Sequence, residues 1–102
     1  MSFLRIIFPP PGFFIADTRL GLTVNAHPVV ETSFVGGLDW WSEMPPGLHV
    51  VETSIKAPLG FARKRTYQLE VRPELVTIAV LDYSRMCGNM TDAAKSVSFV
   101  PR

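Results

Sequence analysis

Thr66-Tyr67-Gln68-Leu69-Glu70-Val71-Arg72-Pro73-Glu74-Leu75-Val76-Thr77-Ile78-Ala79-Val80-Leu81 holds two kinds of strand joined by a turn. In its first half Tyr67, Leu69 and Val71 alternate with Thr66, Gln68, Glu70 and Arg72. A side-chain period of two makes one face apolar and the other polar, as in an antiparallel strand with one wet side. Arg72-Pro73-Glu74 turns the chain. Leu75 to Leu81 is then apolar on both faces apart from Thr77, which predicts a central strand covered on both sides. Leu69, Val71, Ile78 and Val80 are the core residues expected from this pair.

The same short period extends outward. Nine prolines and seven glycines break the 102 residues into short apolar runs, the pattern of an all-β protein. Phe3 to Phe8 reads as a strand with Leu4, Ile6 and Phe8 on one face and Arg5 on the other. Pro9-Pro10-Pro11 cannot continue a ladder. Phe13 to Ala16 is a second apolar run. Leu22 to Val24 and Val29 to Glu31 flank Asn25-Ala26-His27-Pro28, a hairpin turn in which Asn tolerates positive φ. Thr32 to Val35 and Leu38 to Trp41 read as a strand pair around Gly36-Gly37. Pro45-Pro46-Gly47 leads into the β-branched strand Leu48 to Ile55, and Ala57 to Gly60 is a loop. Ser84 to Lys95 is polar and irregular. Thr91 to Lys95 suggests one capped helical turn. Ser96 to Val100 is a last strand closing an edge. The expectation is one domain over residues 1–102, an antiparallel β-sandwich of about seven strands.

Composition narrows the function classes. The 47% hydrophobic content is enough for a real core. A net charge of +1 argues against a nucleic-acid or anionic-membrane binder, which carries a basic excess. No apolar stretch reaches the ~18 residues of a membrane-spanning helix. Arg5 and the proline triplet spoil the opening residues as a signal peptide, so a cytoplasmic location is expected. Cys87 is the only cysteine, which excludes an internal disulfide.

Three segments carry a resemblance. They are Thr23-Val24-Asn25-Ala26-His27-Pro28-Val29, then Pro45-Pro46-Gly47-Leu48-His49-Val50, then Tyr67-Gln68-Leu69-Glu70-Val71 leading into Val76 to Val80. Their order resembles the small β-sandwich modules of the PEGA-like and carboxypeptidase-regulatory-like (transthyretin-like) kind over about Thr18 to Asp82. Ala26 stands at the place of the hairpin glycine in that pattern. The resemblance implies a structural, ligand-binding or docking role and supplies no catalytic residues.

Candidate chemistry is sparse. His27 and His49 are the only histidines, and no dense metal-ligand motif surrounds them. There is no Gly-x-Ser-x-Gly elbow and no phosphate-cradling glycine loop. No metal, cofactor or covalent catalysis is therefore expected. Arg63 and Arg65 share one face of a strand and are candidates for gripping an anion. A charged edge that discourages strand addition is the plainer account.

Trp40-Trp41 is the most informative pair. Neighbours in a strand point to opposite faces, so only one indole can enter a given core. The other faces a loop of its own chain, such as Ala57 to Ala62, or a partner. The candidate binding residues are Trp40, Trp41, His49, Arg63 and Arg65. The sequence points to a non-catalytic binding module, for another protein or a second copy of itself. Two alternatives stand beside it: a small-molecule or carbohydrate binder using an exposed Trp, and an enzyme with a His-centred site.

Overall fold

In a computed structural model of the protein, described over residues 1–12, 17–56 and 62–102, the two-residue period of the sequence becomes burial. Leu4, Ile6 and Phe8 of β1 (Phe3–Phe8) are buried, while Phe3, Arg5 and Ile7 between them are partly exposed. Leu20, Leu22 and Val24 of β2 (Arg19–Val24) are buried in the same way. The remaining strands are β3 (His27–Ser33), β4 (Leu38–Glu43), β5 (Gly47–Lys56), β6 (Ala62–Val71), β7 (Leu75–Val80), β8 (Tyr83–Ser84), β9 (Asn89–Met90) and β10 (Ser96–Pro101). No helix occurs among the described residues.

The strands form two four-stranded sheets and a small hairpin. One sheet is antiparallel, in the order β3-β2-β5-β6. The other, in the order β10-β7-β1-β4, is mixed because β1 runs parallel to β7. The core lies between their inner faces. Leu4, Ile6, Phe8, Leu38 and Ala79 face Leu20, Leu22, Val51, Ile55, Tyr67, Leu69 and Val71. Phe34 plugs the core from the segment between β3 and β4, with its ring centroid 5.2 Å from Phe8 and 5.1 Å from Tyr83. Alternating apolar positions thus bury one face of each sheet, the arrangement that makes a β-sandwich.

The expected all-β sandwich of about seven strands is present, as eight sheet strands and a small hairpin, with the detail that one of its two sheets is mixed because β1 runs parallel to β7. Several expectations need correction. Thr32 to Val35 and Leu38 to Trp41 are not a hairpin: β3 and β4 belong to different sheets, and Phe34 to Gly37 carries the chain between them. Entry of Phe34 into the core, with Gly37 N donating to Phe34 O at 3.2 Å, sets that crossing. β7 is central in its sheet, but only one of its faces is covered. Thr77 and Ala79 point inward and are fully buried, whereas Ile78 and Val80 point outward and stay partly exposed. Leu69 and Val71 are core residues as expected; Ile78 and Val80 are not. Thr77 is tolerated inside because its hydroxyl donates to Glu70 O at 2.8 Å. Thr91 to Lys95 is not helical. With no helix there the Thr91 hydroxyl has no N-cap role, and it donates to Ala93 O at 2.7 Å. The apolar run Phe13 to Ala16 and the loop Ala57 to Gly60 lie outside the described residues.

The turn at Asn25-Ala26 gives the first expected outcome. Both residues have positive φ, 49° and 67°, the signature of a two-residue I′ hairpin turn. Asn accepts this conformation, while Ala pays a steric cost there of roughly 1–2 kcal/mol. Ala26 is exposed. Ala26→Gly is therefore expected to raise the stability measured by urea denaturation by about 0.5–1 kcal/mol after glycine's own entropy loss.

Candidate functional site

The outward side of the mixed sheet gathers apolar residues from every strand. Residues paired across neighbouring strands share a face. Val100, Val76, Phe3 and Glu43 form one row, Ser98, Ile78, Arg5 and Trp41 the next, and Ser96, Val80, Ile7 and Asp39 the third. Phe3, Ile7, Val76, Ile78, Val80 and Val100 are all partly exposed, and Trp41 is 62% exposed. The Phe3 and Trp41 rings tilt against each other with centroids 5.5 Å apart, which props the indole upright on the face. Sheets with one wet side carry polar residues there. The opposite sheet obeys this rule at Thr23, Glu52, Ser54, Lys64, Thr66, Gln68 and Glu70, with the exposed Leu48 and Val50 at one end of β5 as exceptions. The mixed sheet does not.

One ion pair is set into this apolar surface. Arg5 donates to both carboxylate oxygens of Asp39, Nε to Oδ1 at 2.9 Å and Nη2 to Oδ2 at 2.5 Å. The fork geometry fixes the guanidinium beside Trp41, its cross-strand neighbour. Hydrogen bonding to Arg5 holds the Asp39 carboxyl below its ordinary value of 3.8. Asp17 is held below 3.8 chiefly by the Ser33 hydroxyl and the Val35 amide. A depressed folded value means that each carboxylate contributes stability at pH above 3.8, lost as pH falls through the lower folded value. The melting temperature is therefore expected to drop on acidification below about pH 4. An Asp17→Asn, Asp39→Asn double variant should show a shallower drop, measured by thermal melts from pH 6 to pH 2.

The five candidate residues do not form one site. Trp41 stands on the outer face just described. Trp40 turns inward on the same strand and packs, partly buried, against the core. The alternation expected for adjacent strand residues places them so. His49 lies on the inner side of β5 and is buried. Its Nε2 meets Pro45 O at 2.7 Å and its Nδ1 meets Asn25 Nδ2 at 2.8 Å. The carbonyl requires an N–H and the amide requires a lone pair, so one neutral tautomer satisfies both contacts. Both ring nitrogens are thus engaged in tying two turns together. Arg63 and Arg65 reach to the β8–β9 hairpin. Arg63 Nη1 donates to Gly88 O at 2.6 Å and Arg65 Nε to Met90 O at 2.9 Å. These guanidiniums hold a hairpin onto the edge of β6. His27 is exposed at the start of β3, and Cys87 is exposed in the β8–β9 turn.

Among the described residues no group of three His, Cys, Asp or Glu side chains is placed to hold a metal ion. Three open clefts have no indole in their walls. The largest, about 410 Å³, lies between Met44-Pro45-Pro46 and Pro73-Glu74. The others, about 340 and 220 Å³, lie beside Pro28-Val29 and against Pro9 to Pro11.

The residues that sequence reasoning missed are Phe3, Ile7, Val76, Ile78, Val80 and Val100. Their signal was present: Phe3 and Ile7 flank Arg5 on one face of β1, and β7 is apolar on both faces. β1 was read only for its Leu4, Ile6 and Phe8 face, and β7 was read as a strand covered twice, a second cover that the described residues do not supply. Geometry and fold together define a two-sheet β-sandwich with one apolar outer face. Neither family models, curated proteins nor solved structures give a match to this chain.

Proposed function

We propose that this chain is a non-catalytic interaction module that binds another protein surface through the outer face of its mixed sheet. The observation that carries this reading is the apolar surface around Trp41, which is continuous across β7, β1 and β4. An indole left 62% exposed sacrifices the roughly 25 cal/mol per Å² that covering its ring would return. Contiguous exposed apolar area of this kind marks contact sites, and Trp and Arg are the side chains most enriched at their centres. Trp41 beside Arg5 supplies both. The His-centred alternative loses support because Pro45 and Asn25 occupy both nitrogens of His49.

The test is affinity capture by the tagged protein, native or Trp41→Arg, in cells that make the untagged chain. Trp41 is largely outside the core, so the variant should melt within a few degrees of the native protein. The expected result is that capture, of other proteins or of untagged copies, is lost in the variant. Equal capture by both, at equal fold stability, would overturn the reading.

One observation favours a second reading. The upright indole lies next to the bidentate Arg5–Asp39 pair, the combination of a flat stacking surface and hydrogen-bonding groups that suits a sugar ring. Binding to a glycan array that disappears in Trp41→Ala would support it.

A further inference from the structure

We propose that the free edge of β10 is a second docking site, where an extended segment of another protein, apolar at alternate positions, adds a fifth strand to the mixed sheet. The site is separate from the outer face around Trp41. Comparison of the four sheet edges singles it out.

An edge strand aims the N–H and C=O groups of alternate residues away from its sheet, and proteins blunt such edges with charge, proline, irregular register or a cover. Three of the four edges here are blunted. β3 carries Pro28, and its pairing with β2 shifts register at Leu22/Thr23. β4 carries Asp39 and Glu43. β6 carries Arg63, Lys64 and Arg65, and the β8–β9 hairpin is held against it. Along Ser96-Val97-Ser98-Phe99-Val100, β10 has no charge and no break in its register with β7. No described strand pairs with its far side, and Pro101 stands only at its end.

The side chains of β10 define the occupant. Val97 lies on the inner side of the sheet, opposite the fully buried Ala79, yet it is 44% exposed. Cover from the antiparallel sheet thus stops at β7. Phe99, on the same side, is partly buried, with the Arg72 guanidinium 3.7 Å from its ring centroid. An added strand sets alternate residues beside Val97 and Phe99, where apolar side chains gain by burial. The residues between them fall beside the exposed Ser96 and Ser98, which suit small or polar groups. Unpaired main-chain groups are met by another extended main chain, the mode of strand addition. A second copy offering its own β10 would bring its antiparallel sheet to the same side of the joined sheet, where the first copy's β8–β9 hairpin already stands. A lone segment needs only one strand spacing, about 4.8 Å, which favours the slimmer occupant.

The test is amide hydrogen exchange of the isotope-labelled protein, alone and with a capped synthetic peptide of alternating valine and threonine. The expected result is saturable binding that slows exchange at alternate amides of Ser96 to Val100. A peptide of threonine alone should bind about tenfold more weakly or worse. Val97→Lys puts a charge on the exposed inner row and should weaken binding about tenfold or more, with a melting temperature near native. Leu48→Arg, on the outer face of the other sheet, should leave binding unchanged. No binding at millimolar peptide, undiminished binding by Val97→Lys, or protection that falls on β3, β4 or β6 and spares β10 would each overturn the proposal. Protection of β10 that grows with protein concentration alone, as the mass rises from 11.4 kDa toward twice that value, would overturn the partner segment and make a second copy the occupant.

Discussion

Phe34→Ala is expected to lower stability by about 3–5 kcal/mol, the usual cost of emptying a large buried aromatic site. The residue is fully buried and its ring contacts Phe8 and Tyr83 at 5.2 and 5.1 Å between centroids. Its position amplifies the loss. Phe34 sits where the chain leaves the antiparallel sheet for the mixed one, and its amide donates to Thr18 O at 2.9 Å. Removing the ring opens a cavity between the sheets and frees the crossover that aligns them. Phe34→Leu fills much of the space and should recover more than half of the loss. Urea denaturation followed by near-UV circular dichroism measures both. A loss below about 1 kcal/mol for the Ala variant would mean that the ring is not in the core.

Gly37→Ala should be comparably damaging for a different reason. Gly37 has φ of +76°, and a Cβ there would stand 2.5 Å from Phe8 O and 2.9 Å from Pro10 N. Both obstacles are main-chain atoms, so no side chain can swing aside. The strained φ costs about 1–2 kcal/mol, and displacing the end of β1 adds roughly 1–3 kcal/mol. The neighbouring Gly36 is the control. A Cβ at Gly36 meets only Ser33, at 3.4 Å or more, so Gly36→Ala should change stability little. Equal urea midpoints for the two variants would contradict the placement of this turn against β1.

These two residues show where the sequence was legible. Alternation in β1 and β6 placed Leu4, Ile6, Phe8, Tyr67, Leu69 and Val71 inside, because a polar residue between apolar ones fixes the phase of the strand. β7 has no such phase. With apolar side chains at 76, 78, 79 and 80, only the third dimension decides which set faces in, and the buried Thr77–Glu70 hydrogen bond decides it against the hydropathy of Ile78. Gly36-Gly37 resembles a hairpin turn in composition, but its conformation serves a crossing between sheets. The β8–β9 hairpin was invisible because its two-residue strands are held by Arg63 and Arg65 from a distant strand. Trp41 was legible as the outward indole from adjacency alone. The surface around it was not, since it exists only because β1 lies parallel to β7 with β4 on its other edge, pairings that no local signal encodes.

The central claim is that the face around Trp41 is covered when the protein works. Hydroxyl-radical footprinting in intact cells tests it most directly, with dilute purified protein as the reference. Met86 is 99% exposed in the β8–β9 turn and oxidises readily, so it serves as an internal standard. The account predicts that Trp41 oxidation, relative to Met86, falls severalfold in cells and is fully restored on dilution. A Trp41 that oxidises as readily in cells as in dilute solution, with Met86 unchanged, would contradict it.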